Sequence, residues 1–256
     1  MKKLAIFVDA GYFFSGSAFS LFKEHKKRNE ISLDISKLYE YLKKYSAEHI
    51  SSPLLRIYWY DGSLPTGLSV EQQKIAQTPG ILFRKGFINE KNEQKGIDTH
   101  IVAELLELSY KNIIDEAIII GADSDLTVGV EYAQNMGIKV TLMTVSSIGI
   151  SQDLRNQADN VCSFDEQVLS NIITLKNIND LQKEESQLYN CVVEEYISFL
   201  PESIKSELVE YLQGCNNLPH ERDKELLKIA AIKLSRPLKT EEKHMLRDTL
   251  IKKLKS

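Results

Sequence analysis

Up to about residue 165 the chain alternates short β-branched or aromatic runs with stretches of helical period, the pattern of βαβ units built around a parallel sheet. The strand-like runs fall at residues 4–9, 55–60, 81–87, 117–121, 139–145 and 160–164. Helical stretches lie between them at 34–48, 69–77, 97–110, 126–135 and 151–157. The Met136-Gly137 step closes the fourth of these, because glycine is the least costly residue just past a helix C-terminus.

From about residue 179 the texture changes and no strand-like run appears. Amphipathic segments fill 181–200, 202–213, 221–234 and 240–254, with Pro201, Pro219 and Pro237 between them as helix boundaries. The expected organisation is an α/β domain over residues 1–170 and a small all-helical domain over 180–256. Charges in the helical part are mixed and nearly balanced, which suits packing or interaction; it is the candidate surface for a homo-oligomer or a protein partner.

A chain of 256 residues with 43% hydrophobic content buries a normal core. Its longest apolar runs fall well short of the roughly 20 residues that span a bilayer, and its N-terminus has no signal-peptide pattern, so the expectation is a cytoplasmic protein without a membrane partner. Cys162, Cys191 and Cys215 are far apart and form no C-x-x-C pair, which predicts reduced, mostly buried thiols rather than disulfides or a zinc site. The net charge of −4 gives no general attraction to nucleic acid. Any RNA site has to be a local patch.

The functional signal is acidic. Ligands of an open parallel sheet bind outside the carboxyl ends of its strands, where strand order reverses. Asp9 closes the run Leu-Ala-Ile-Phe-Val-Asp, and Asp123 follows Ala-Ile-Ile-Ile-Gly-Ala, so each is an ionisable group directly after a segment that must be buried. Asp125 stands where the next helix begins, and Asp98 opens another within Lys95-Gly96-Ile97-Asp98. Aspartates at helix starts are often plain N-caps, so Asp98 and Asp125 say less than Asp9 and the Asp123-Ser124-Asp125 triplet. Converging carboxylates without cationic partners repel one another and bind protons more readily. A divalent cation relieves that repulsion, and oxygen-only ligands favour Mg²⁺ or Mn²⁺ over zinc.

Four segments in order, Ile6-Phe7-Val8-Asp9-Ala10-Gly11-Tyr12, Lys95-Gly96-Ile97-Asp98, Ile120-Gly121-Ala122-Asp123-Ser124-Asp125-Leu126 and Ser151-Gln152-Asp153-Leu154-Arg155-Asn156-Gln157-Ala158-Asp159, resemble the successive motifs of the NYN domain family of PIN-like nucleases. The resemblance covers roughly residues 3 to 165 and leaves the helical tail outside. It implies a PIN-like parallel sheet of order 3-2-1-4-5 flanked by helices, with the strands ending in Asp9 and near Asp123 side by side. It also implies a Mg²⁺- or Mn²⁺-dependent ribonuclease, with Asp9, Asp98, Asp123 and Asp125 as its catalytic, metal-binding acids. Two departures stand out: Tyr12 occupies a position where many members have asparagine, and Gly-Ala-Asp-Ser-Asp replaces Ser-Gly-Asp-Ser-Asp.

Phosphodiester hydrolysis needs a more acidic water, a stabilised charge on phosphorus and a leaving oxygen, and one or two divalent ions can serve all three needs. Lys95, Tyr12 and Ser124 are the candidate substrate contacts beside the acids. His25-Lys26-Lys27-Arg28, Arg84, Lys85 and Lys91 are candidates for a positive channel. Ser15 and Ser124 have no accompanying histidine, which argues against serine-hydrolase chemistry. Tyr58, Trp59 and Tyr60 alternate on a strand and read as packing residues. Other readings are a Mg²⁺-dependent phosphatase, a receiver-like signalling domain and a catalytically degenerate RNA- or protein-binding module. A haloacid-dehalogenase-type phosphatase needs a second aspartate where this chain has Gly11, and a receiver needs an aspartate where it has Asn89-Glu90.

Overall fold

The computed structural model describes residues 3–63, 67–88, 94–145, 149–215, 217–233 and 238–255. Side chains at 87–88, 94–95 and 178–185 are also outside the description. Asn89-Glu90, Lys91, Pro237 and the Lys95 side chain, all raised by the sequence, therefore lie outside the described residues.

One compact unit ends at Lys176. Its strands are β1 (Leu4–Asp9), β2 (Ile31–Leu33), β3 (Leu54–Ser63), β4 (Ile81–Ile88), β5 (Gln94–Lys95), β6 (Glu116–Ile120), β7 (Lys139–Thr144), β8 (Asn160–Ser163) and β9 (Ile173–Leu175). Its α-helices are α1 (Ala10–Phe22), α2 (Ile35–His49), α3 (Val70–Gln77), α4 (Ile97–Tyr110), α5 (Leu126–Asn135), α6 (Gln152–Gln157) and α7 (Glu166–Ile172). The main sheet runs β5-β4-β3-β1-β6-β7-β8 and is parallel except for the β4–β5 pair. Its parallel strands taken in chain order thus give the expected 3-2-1-4-5, with β8 added beyond the fifth and the two-residue β5 at the opposite edge. A short antiparallel pair, β2–β9, forms a separate ribbon.

Period-2 alternation divides the strands between two cores. Leu4, Ile6 and Val8 of β1 pack with Ile57 and Trp59 beneath α1, α2, α3 and α7, while Ala5 and Phe7 pack with Tyr58 and Tyr60 beneath α4, α5 and α6. On the second face, α4 is held close to its neighbours. Tyr60 donates to Glu104 (2.8 Å), Arg84 forms a two-pronged ion pair with the same carboxylate, and Ile97 sits where a Cβ on Gly86 would fall. Gly129 of α5 lies so near Val102 that an added Cβ would stand 2.7 Å from Val102 Cγ2.

A second compact unit begins at Asn177 and holds α8 (Ile178–Phe199), α9 (Glu202–Gly214), α10 (His220–Lys233) and α11 (Thr240–Lys255). Val192, Val193, Tyr196, Leu226, Leu246 and Leu250 are central to its core. Arg247 of α11 grips Asp223 of α10 through two bonds of 2.7 and 2.9 Å. Among the described residues no helix is long and apolar enough to cross a membrane. All three cysteines are free thiols, but Cys191 is exposed and neither Cys162 nor Cys215 is fully buried.

Because α5 can approach α4 only at a residue without a side chain, Gly129→Val is expected to destabilise the α/β unit by about 1–3 kcal/mol through overpacking. Urea unfolding reads this directly, and an unchanged midpoint would mean that the two helices are not so closely apposed.

Candidate active site

The strand order reverses between the parallel strands β1 and β6, and both lead into the acidic segments picked out by the sequence. The register pairs Val8 with Ile120, so Asp9 emerges beside Gly121. A Cβ on Gly121 would lie in ordinary contact with that of Asp9, 4.0 Å, but only 2.8 Å from Leu126 Cδ1, so the approach of Leu126 depends on the missing side chain.

Asp9 is at once the last residue of β1 and the N-cap of α1. Its Oδ1 accepts the Tyr12 amide at 3.1 Å, satisfying one of the amides that a helix start leaves unpaired. Alternation along β1 directs the carboxylate to the α4 side, where Asp98 occupies the first turn of α4. Asp123 is exposed; its Oδ1 accepts the Asp125 amide at 3.2 Å and the Ser124 hydroxyl at 3.3 Å. Asp125 precedes α5 without using its carboxylate to cap that helix.

A cleft of about 560 Å³ opens here, lined by Asp9 and Tyr12 on one side and by Ala122, Asp123 and Ser124 beyond β6. Gly149, Ile150 and Ser151 complete the wall, and the Ser151 N–H donates to the Ala122 carbonyl, just past β6, at 2.9 Å. Asp98 and Asp125 are not part of this lining. They are linked to it electrostatically. Burial, with the nearby Asp98 and Asp61 charges, pushes Asp9 up to about 6 despite its amide bonds. Burial first, then Asp123 and Asp125, raises Asp98 above the ordinary carboxylate range.

Of the other candidates, Tyr12 and Ser124 line the cleft, whereas three residues of the proposed positive channel are committed elsewhere. Arg28 pairs with Glu71 at 2.5 Å and lies over the Phe14 ring, Lys26 pairs with Glu24, and Arg84 is bound to Glu104. Asp61 was not singled out by the sequence. It is buried on β3, accepts Gln72 Nε2 at 3.0 Å, and is held above its ordinary range chiefly by burial. The signal was present, since an acid closing an apolar strand is what marked Asp9.

The donor set suits a hard divalent cation in two respects: it is made of carboxylates, and Asp98 Oδ1 is buried without a hydrogen-bond partner. Among the described residues, however, no group of three or more His, Cys, Asp or Glu side chains forms a ready-made ligand set. The acids are neighbours in charge but not yet convergent in position.

This electrostatic frustration fixes a sign for the pH dependence. Folding raises the Asp9 value from 3.8 to about 6, so the folded state holds an extra proton between these limits. The associated stability is complete below the unfolded value and is lost as pH rises through about 6. The gap corresponds to about 3 kcal/mol. Thermal melts in EDTA should therefore show falling stability across this window, with a shallower fall in Asp9→Asn; identical slopes in the two proteins would contradict the assignment.

The NYN domain model matches residues 3–166. An uncharacterized protein of Sinorhizobium fredii, y4oD, is 28% identical over 201 residues, spanning 70% of this chain and 94% of the relative. A crystal structure of a Vibrio parahaemolyticus protein of unknown function, VPA0982, aligns at a TM-score of 0.47 and 17% identity, covering 68% of this chain and 96% of that one. With the family model matching most of the chain, including every strand of the main sheet, this protein belongs to the NYN domain family of PIN-like nucleases.

Proposed function

We propose that the chain is a divalent-cation-dependent ribonuclease that hydrolyses RNA phosphodiester bonds with Asp9, Asp98, Asp123 and Asp125. The observation that carries this reading is the buried, unpartnered Oδ1 of Asp98, whose carboxyl, like that of Asp9, is held above its ordinary range by burial and by neighbouring acidic charge. A fold retains such an arrangement at a cost in stability, and a bound cation offsets that cost. When bound, Mg²⁺ or Mn²⁺ supplies polarisation of water and phosphate oxygen together with neutralisation of the developing charge.

The side chains divide the remaining work. The start of α1 fixes Asp9, and the Asp125 amide and Ser124 hydroxyl orient Asp123. Asp98 rides on α4, whose position is set by the Glu104 bonds to β3 and β4. Asp125 completes the site directly or through water. Ser124, Tyr12 and Lys95 contact the RNA, and the helical unit serves as the interaction module for a further copy or a protein partner.

Asp9→Asn and Asp123→Asn keep the side-chain shape but delete the charge that holds a cation. Each is expected to reduce cleavage of labelled RNA in Mn²⁺ by at least about a hundredfold, and to remove most Mn²⁺-induced thermal stabilisation. Lys95→Ala should raise KM while leaving that stabilisation intact, because a phosphate contact holds no ion. Equal cleavage by wild type and Asp123→Asn would refute the site. A wild type that binds RNA without cutting it under any divalent ion would favour the binding-module reading.

A further inference from the structure

Tyr12 is placed unlike any other aromatic residue described at this site. Its backbone belongs to the first turn of α1, directly after β1, while its hydroxyl accepts the Val145 amide at 3.2 Å, just past the end of β7. Those two strands are not neighbours, because β6 runs between them. With adjacent strands about 4.8 Å apart, the ring must bridge the carboxyl end of β6, where Ala122 and Asp123 also line the cleft. The ring is anchored at both ends and packed along α1, with Cε2 3.7 Å from where a Gly16 Cβ would stand.

From this geometry, and resting on the ribonuclease reading above, we propose that Tyr12 is a nucleobase platform that stacks a base flanking the scissile phosphate. A pre-fixed ring loses little rotamer freedom when a base settles on it. Its surroundings suit a base: Ala122, Gly149 and Ile150 supply small or apolar surface, and among the described residues the cleft lining contains no lysine or arginine to grip a second phosphate. The nearby aromatics of β3 are unavailable for stacking, since Tyr58, Trp59 and Tyr60 are each no more than 3% exposed. A single base–aromatic stack is worth about tenfold or more in affinity and tolerates any base, because each has a π face.

The test is a cycle between side chain and base. Single-stranded oligoribonucleotides with a mapped cleavage position, each carrying one abasic nucleotide at successive places around it, are cleaved in Mn²⁺ by wild type, Tyr12→Phe and Tyr12→Leu. At one flanking position the missing base should raise KM about tenfold in wild type and in Tyr12→Phe, which retains the ring. Tyr12→Leu should show a similarly raised KM on intact RNA and no further penalty from the abasic nucleotide, with kcat little changed. Penalties that multiply independently would overturn the proposal and leave Tyr12 as a structural tether. If Tyr12→Leu does not fold, the wild-type scan still decides: cleavage with no sensitive flanking position overturns stacking alone. A wild type that cuts no RNA overturns the ribonuclease reading and this inference with it.

Discussion

The pairing of β1 with β6 governs what this molecule can do. It joins two strands that lead away from each other in the chain's winding, so the segments leaving their carboxyl ends diverge and open a cleft between them. Each strand delivers an aspartate to that opening, and Gly121 leaves room for Leu126 beside it. Because α1 begins at the same aspartate, one residue ends a strand, caps a helix and presents a carboxylate. Tyr12 then follows in the first turn, in reach of the end of β7. A shift of β1 against β6 would move all of these features together.

The placement of Asp98 depends on packing rather than strand pairing. Asp98 comes from α4, which reaches its place through Ile97 against Gly86, Val102 against Gly129, and Glu104 bound to Tyr60 and Arg84. Arg84 is thus a strut that fixes the acid-bearing helix. Its guanidinium, already matched by a carboxylate in two-pronged geometry, is a poor candidate for gripping a phosphate backbone.

What the sequence made legible follows the strength of each local signal. The long apolar strands and the amphipathic helices were readable because burial on one or two faces imposes a period. Helix α1 was not, since Ala10–Phe22 is apolar on nearly all sides, carries glycine and serine, and shows no polar stripe. The three-residue β2 and β9 and the two-residue β5 are too short for any periodic pattern. The strand expected over 55–60 runs on through Asp61-Gly62-Ser63, which lie in register opposite Lys85-Gly86-Phe87. Arg28 looked like part of a basic patch because composition does not reveal direction; its head turns to Glu71 and over Phe14.

Sequence order singled out four acids, and the fold gives them unequal circumstances. Asp9 and Asp98 are partly buried and electrostatically strained, whereas Asp123 and Asp125 are exposed. The most direct test of the account is a crystal structure grown with Mn²⁺ and measured for anomalous scattering. The account predicts a peak within metal–oxygen bonding distance of Asp9 and Asp123, with Asp98 and Asp125 bound directly or through water. A site fully occupied by ordered water with no anomalous peak, or a peak remote from these four carboxylates, would contradict it.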